Sequence, residues 1–541
     1  MQTKLLNGSR FDSEANKVYK VPVSKLPKRL MTYADGSQEE VIDFENEDVF
    51  KMIVKFIKHH QEKQVPRLQE LKRYSLAQNN IKFTEDKSSD RADNKIANDW
   101  GRFIVNFKKG VILGNPLKYS GDESIADKIN EFSSQSNEDY HNQLMMDDLL
   151  VLGRAYEYIG RDEDGKEMLA KFSAEETFII YDTTTNKNSV CAVRCYDVEF
   201  NDDTTSYIDI YANDGYFYQH ESKNREYEGS KLVDKHQTYF DSIQVNEWIN
   251  NEERLGDFEN VLDNIDAYDL SQSSMANFQQ DSSEAYLLIK GNPETGADDD
   301  GENSKTQLLK EMLQARLLIL GDKKYYGDGQ TGSDPDARYL KKEYDTQGTE
   351  AYNDRLVSDM LRFTSLIDFT DENIGSNQSG IGFRFKGWGS DNDRKNKERM
   401  VKKAIMRRLR ILTYSWSLKE TINKPKGFAE KVKSIFTSEN KKQEELYDKV
   451  NAIEILFTPN VPQSDKEIME VIAGMVGIVS DETLCEMAAK LTGVPADEEI
   501  KRIAAEKEPL NVHDEDRVEG NVEIEIDEEE TENENERQAN E

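Results

Sequence analysis

The segment Gly160-Arg161-Asp162-Glu163-Asp164-Gly165-Lys166-Glu167 comes closest in this chain to phosphate-binding chemistry, with glycines and a lysine at the Gly-x-x-x-x-Gly-Lys spacing. Such a loop wraps phosphate oxygens in backbone N–H groups and needs Ser or Thr after the lysine to hold magnesium. Glu167 occupies that position, and three acids inside the loop would repel a triphosphate. The β-patterned runs on either side mark the segment as a charged hairpin. Asp298, Asp299, Asp300 and Glu302 offer carboxylates of the kind that hold divalent metals in nucleases. They lack the alternating register and the spaced Gly and Glu of a calcium loop, and read as a solvated acidic loop. His59, His60, His141, His220, His236 and His513 show no metal-ligand spacing. Gly375 to Gly380 lacks the apolar strand that precedes a nucleophile elbow. Cys191, Cys195 and Cys485 are too few for a disulfide scaffold and have no second pair to complete a zinc site, so plain reduced thiols are expected. These residues supply no catalytic centre, no metal site and no cofactor, and the chain reads as non-enzymatic.

A different chemistry lies further on. From Ser390, with Asp393 three residues later as a helix-start pattern, Val401, Ile405, Leu409, Leu412 and Trp416 fall within one quarter of a helical wheel. Lys395, Arg399, Lys402, Lys403, Arg407 and Arg410 take the adjacent arc, and residues 391–410 carry nine Lys/Arg against three acids, a net +6. A basic stripe of this kind contacts either DNA phosphates or a neighbouring subunit. Before it, Asn373, Gly375, Ser376, Asn377, Gln378, Ser379 and Gly380 form a neutral, glycine-flanked loop. Its amides and hydroxyls suit transient phosphate contact without a strong electrostatic trap.

The whole chain bounds these readings. Its 541 residues exceed one ordinary domain, 33% are charged, and the formal net charge is -35. With a mean hydropathy of -0.81, much of the chain is expected to face water. Such acidity opposes a tight wrap around DNA while suiting a surface past which DNA slides. No apolar run is long enough to span a membrane, and Met1 to Arg10 lacks the core of a signal peptide, so synthesis in the cytoplasm is expected.

The elements that position these residues follow from periodicity. Residues 1–40 read as a flexible arm. Helices are expected over Val49 to Ser75, kinked or split by Pro66, over Asn94 to Leu113 and over Gln143 to Gly153. From Ala155 to Phe240 the pattern turns to short strands, with hairpin turns at Asp164-Gly165 and Asp214-Gly215. Residues 41–255 thus form an α+β domain with an antiparallel sheet. Long helices from Gly256 to about Asp281 and from Thr349 bracket a small module, in which Ala285 to Lys290 is a strand and Thr306 to Leu318 looks helical. Thr370 to Gly389 reads as a loop. Ile453 to Phe457 is a strand, and Ser464 to Val476, Asp481 to Thr492, capped by Ser480, and Pro495 to Lys507 are helices. Residues 514–541, at net -12, are expected to be disordered.

In their order, five stretches resemble the portal proteins of tailed phages: Ile104 to Tyr119 (IVNFKKGVILGNPLKY), Asp147 to Tyr158 (DDLLVLGRAYEY), Asp257 to Asp281, Ser379 to Leu412 (SGIGFRFKGW onward), and Ile453 to Val494 with FTPNVPQSD and GIVSDETL. Together they cover most of residues 41–507. The resemblance implies a helix-rich α+β portal fold with an antiparallel wing sheet, a two-helix stem and a small mixed clip. Its divisions would be wing at 41–255, stem helices at 256–283 and 348–369, clip at 284–347, tunnel loop at 370–382, long helix and return to the wing at 383–459 and crown at 460–510; the arm at 1–40 and the acidic tail at 511–541 depart from the family and map onto none of its parts.

It further implies a dodecameric ring at one capsid vertex, assembled in the host cytoplasm and carried in the virion, through which double-stranded DNA is packaged and ejected. The implied partners are a terminase motor, scaffold and major capsid proteins and a head-completion adaptor, with no membrane. ATP hydrolysis would belong to the motor, in keeping with the broken phosphate loop. The competing readings are a metal-dependent nuclease or packaging ATPase, and a capsid or scaffold interaction protein without a channel.

Overall fold

The computed structural model describes residues 13–32, 38–87, 91–283 without 202, 224, 239 and 241, 286–290, 312, 317–320, 336–340, 345–368, 380–422, 444–460, 465–492 and 496–507. It divides into two compact units, Met1–Asn460 and Val461–Glu541. The fold is α+β, rich in helices, with antiparallel sheets.

The largest sheet of the first unit has the order β1-β7-β8-β9-β10-β11, built from Tyr19–Val21, Thr177–Asp182, Ser189–Phe200, Asp203–Ala212, Tyr216–Lys223 and Lys231–Gln237. All its pairings are antiparallel except β1 with β7, which are parallel. The segment expected to be a flexible arm therefore supplies a sheet edge. Tyr19 and Val21 are buried, and β2 (Lys28–Thr32) and β3 (Gln38–Ile42) form a hairpin. Three residues alternating buried, exposed, buried suffice for a strand once a partner is present, yet they leave almost no periodic signal.

Alternation gives the sheet two buried faces. Phe178, Ile180, Cys191, Val193, Ile208 and Ile210 pack under α1 (Glu47–His59), whereas Ile179, Ala192 and Tyr211 point into a second, larger core. That core also holds β5 (Arg154–Arg161), β6 (Glu167–Phe172) and β12 (Val245–Ile249), a three-stranded antiparallel sheet. The turns at Gly165 and Gly215 fall where Asp-Gly placed them, with φ of +75° and +77°.

Pro66 splits its helix as expected: α1 ends at His59, a π-helical turn covers His60–Gln64, and α2 (Val65–Tyr74) starts with the proline in its first turn. Next come α3 (Trp100–Leu113), β4 (Lys118–Ser120), α4 (Glu123–Ser136) and α5 (Glu138–Leu152). Beyond the sheets, α6 (Leu262–Ser283) packs against the helix Thr346–Phe363, whose N-terminus Asp345 caps by accepting from the Gly348 amide. Between them, β13 (Tyr286–Lys290) pairs in parallel with β14 (Leu317–Leu320) and antiparallel with β15 (Asp336–Leu340). Leu317 and Leu318, expected at a helix end, thus lie in a strand, because an apolar run of four is ambiguous in period.

One expectation is corrected outright. The long helix starts at Gly380 and runs to Ile422, so the stretch read as loop up to Gly389 is helical from Gly380, and Ser390 and Asp393 are interior. Four glycines, at 380, 382, 387 and 389, each cost roughly 1 kcal/mol relative to Ala in a helix. Tertiary packing further along the helix outweighs that local signal. After it, β16 (Glu454–Leu456) pairs with β4. The second unit holds helices Asp465–Met475, Asp481–Thr492 and Ala496–Lys507, and Ser480 Oγ accepts from the Thr483 amide as the expected cap.

Candidate functional site

The long helix is seated by two buried charge clusters, both made from residues on its apolar side. Val401, Ile405, Leu409, Ile411, Leu412 and Trp416 are buried in the larger core. At 100° per residue, Arg394, Lys397 and Arg408 lie within about 40° of Val401, inside the apolar arc. Each therefore needs a counter-ion, which Arg394 finds within its own helix and Lys397 and Arg408 find on facing elements.

For Arg408 these come from α5 and β5. Its side chain is fully buried; Nη1 donates to Glu138 (2.6 Å), Nε and Nη2 donate to Glu157 Oε2 (3.0 and 2.8 Å), and Nη2 also reaches Asn142. The guanidinium lies 5.3 Å from the Trp248 ring centroid. His141 also bonds Glu157, Asn246 donates to Glu157 Oε1 and to the Ala404 carbonyl, and the Tyr119 hydroxyl donates to Glu138. Burial alone would raise the Glu157 carboxyl; Arg408 and His141 outweigh it and hold the group at about 2. The Arg408 guanidinium is pushed above its usual range by the two glutamates, against the effect of burial.

The second cluster joins three helices. Asp257, just ahead of α6, meets Lys397 of the long helix at 2.6 Å and Lys108 of α3 at 2.7 Å, and Lys108 also reaches Asp393 at 2.8 Å. Burial opposes ionisation of Asp257, yet the two ammonium groups pull its carboxyl below the usual range. Lys108, though buried, is raised by Asp257 and Asp393. Arg394 pairs within the helix with Asp391 and Glu398.

The six cations singled out from the sequence face away from these clusters. Lys395 pairs with Asp391, Arg399 bonds Asn396, Arg407 donates to Ser189 Oγ and Arg410 to Asn451. Lys402 is half-buried and Lys403 exposed. Asn373, Gly375, Ser376, Asn377, Gln378 and Ser379 lie outside the described residues; Gly380 opens the helix. The acidic run Asp298 to Glu302 and the tail from 511 also lie outside them.

The loop that mimics a phosphate cradle spends its donors on itself. The Gly165 amide donates to the Asp162 carbonyl and the Lys166 amide to Asp162 Oδ1, as in a hairpin turn. The hairpin's base is docked on the long helix: Arg161 donates to Ser415 Oγ, and Ser415 Oγ donates to Glu167 at 2.8 Å. Among the described residues no three His, Cys, Asp or Glu side chains gather as a metal site, and no helix is long and apolar enough to cross a membrane. Cys191 and Cys195 are free thiols, four residues apart on β8 and both buried in the smaller core, and burial raises Cys195 to about 11.

The arrangement defines a class first: a multi-unit α+β chain whose long basic helix is locked by buried ion pairs onto one sheet, through Glu157, and onto α3, α5 and the segment ahead of α6. The chain belongs to the phage portal proteins, because the family model described as "Phage portal protein, SPP1 Gp6-like" matches residues 54–511. The portal protein of Bacillus phage SPP1 is 24% identical over 303 residues, 54% of this chain and 56% of that relative. The alignment thus spans little more than half of the relative's length. Among solved structures, the neck of an empty gene transfer agent (GTA) particle computed with C6 symmetry aligns at 9% identity and a TM-score of 0.35, covering 74% of this chain and 90% of that one. The neck of the native GTA particle computed with C12 symmetry aligns at 10% and 0.35 with the same coverage.

Proposed function

We propose that twelve copies of this chain form a ring at one capsid vertex, through which double-stranded DNA is packaged and later ejected. The observation that carries this is the family match across residues 54–511. The ring is also the docking platform for the packaging motor, the head-completion adaptor, and the scaffold and major capsid proteins during assembly in the host cytoplasm; it then stays in the virion. In this reading the two sheets and α1 to α5 are the wing, with β1 to β3 adding the N-terminal segment to it. Residues 256–283 and 348–369 are the stem, 284–347 the clip, 370–382 the channel loop, 383–459 the long helix and its return to the wing, and 460–510 the crown.

The physical support is of two kinds. A net charge of -35 opposes DNA sticking to the ring, and the loop 373–379 has only neutral polar groups and glycine besides Ile374. The long helix that follows this loop is anchored by Arg408 and Lys397, so force on the loop passes into the wing rather than unseating the helix. ATP turnover is assigned to the motor, and the self-satisfied hairpin at Gly160 to Glu167 accords with that.

Negative-stain imaging of the purified chain tests the reading: a ring with an axial hole is expected, and a stable monomer or a shell-like sheet overturns it. Metal-dependent DNA cleavage, or ATPase activity abolished by Lys166→Ala, overturns it as well. Shortening Ser376 to Ser379 is expected to leave the ring intact and impair packaging or retention of DNA. Loss of the ring in that variant would show the segment to be structural.

A further inference from the structure

Between the far half of the long helix and the β7–β8 turn lies an open cleft of about 510 Å³. Lys187, Arg407 and Arg410 line it together with the amides Asn186, Asn188 and Asn213. No carboxylate belongs to its lining among the described residues, although the chain has 106 Asp and Glu against 71 Lys and Arg. Asp182, at the foot of the turn, spends its oxygens on Thr184 and Asn188. Arg407 has Ser189 Oγ as a partner and Arg410 has Asn451 Oδ1, both neutral acceptors, each engaged by one N–H of a five-donor guanidinium. Tyr447, 42% exposed, flanks Arg410 with its ring centroid 6.0 Å away.

We propose that this cleft is a subunit contact that receives Asp or Glu side chains of a second copy of this chain, with Arg407 and Arg410 as forked carboxylate receptors. Three observations select that occupant. A ring closes through head-to-tail interfaces, which need two different and complementary faces on each copy. In a chain with 35 surplus negative charges, the carboxylates at highest local concentration are those of its own copies. The site is also concave, whereas a duplex is a broad convex surface that would meet it only at the rim, and guanidinium forks match single carboxylates bidentately. The proposal rests on the ring reading above.

The test uses the full chain with Arg407→Glu and Arg410→Glu together, and with Gln at both positions as a milder pair. Far-UV circular dichroism and melting establish that each variant is folded. Close charge pairs at interfaces are coupled strongly enough that the reversal is expected to raise the concentration needed for ring formation by about tenfold or more, with a smaller effect for Gln. In rings mixed from isotopically light and heavy copies, Tyr447→benzoylphenylalanine is expected to cross-link to an Asp- or Glu-bearing peptide of the other isotope. Reversal variants that assemble like the parent, or cross-links confined to one copy, overturn the contact. Unchanged assembly with weakened retention of duplex DNA overturns it in favour of a nucleic-acid site. A parent chain that forms no ring at all removes the function proposed above, whereas a normal parent ring with indifferent variants removes only this contact.

Discussion

Replacing Arg408 with methionine keeps most of the side-chain volume and deletes the cation that faces Glu138 and Glu157. Both glutamates are buried, at 3% and 0% side-chain exposure, and removing one partner of such a cluster costs about 3–5 kcal/mol because the remaining charge is left uncompensated. The titration of Glu157 gives a similar size by another route. Its carboxyl falls from 4.5 to about 2 on folding, which corresponds to about 3 kcal/mol at neutral pH. Because the folded value is the lower one, that stability is present above pH 4.5 and is lost as pH falls toward 2. Without Arg408, burial becomes the leading influence and moves the carboxyl up, so the sign reverses. The folded variant then binds the extra proton, and acidification from pH 7 to pH 5 narrows its deficit against the parent. Urea unfolding followed by tryptophan fluorescence at both pH values measures this; Trp248, beneath the guanidinium, is one of the four reporters. Adding Glu157→Gln to the variant is expected to restore part of the loss. A deficit below about 1 kcal/mol at pH 7, the range of an exposed pair, or an identical deficit at both pH values would refute the reasoning.

Two further outcomes follow from the same physics. Asp257→Asn leaves Lys108 and Lys397 buried with only Asp393 between them and is expected to cost about 3 kcal/mol in the same unfolding assay; Asp257→Asn with Lys397→Met should cost less than the two single changes summed, and strict additivity would show that the contact is not a coupled cluster. His60, wholly buried against Gln64 and the Ala174 carbonyl, is pushed by burial from 6.5 to about 4, so it stays neutral in the fold while the unfolded chain takes a proton below pH 6.5. Stability is therefore lost as pH falls through that window, by about 2 kcal/mol between pH 7 and pH 5, and His60→Gln is expected to flatten that part of the pH profile; an unchanged slope would count against it.

How far the sequence reached depended on whether a signal was local. Asp-Gly turns, the Pro66 break and the Ser480 cap depend on a few adjacent residues, and each appears where the residue types placed it. The edge strand Tyr19–Val21 depends on β7, more than 150 residues away, and three alternating residues have no periodicity to detect. The start of the long helix failed in the opposite sense: four glycines and a Ser-x-x-Asp pattern gave a strong local signal for a boundary at Ser390, which the helix overrides.

The nine cations of residues 391–410 show what a wheel can resolve when charge and apolar arc are read together. The six chosen from the sequence as a stripe lie about 100° or more from Val401, and the structure leaves them outside the buried clusters, with partners that are exposed, neutral or absent among the described residues. The other three, Arg394, Lys397 and Arg408, fall inside the apolar arc and have side-chain exposures of 15%, 7% and 0%. A cation on an apolar arc cannot remain there unpaired, so its position announces a carboxylate, one turn along the same helix for Arg394 and on a facing element for Lys397 and Arg408. What it leaves open is which carboxylate, because Glu138, Glu157 and Asp257 are brought to it only by the tertiary fold. The net +6 of the segment therefore overstates its outward charge: Lys397 and Arg408 are spent on seating the helix, and what remains for a partner is the exposed stripe and the cleft beside Arg407 and Arg410.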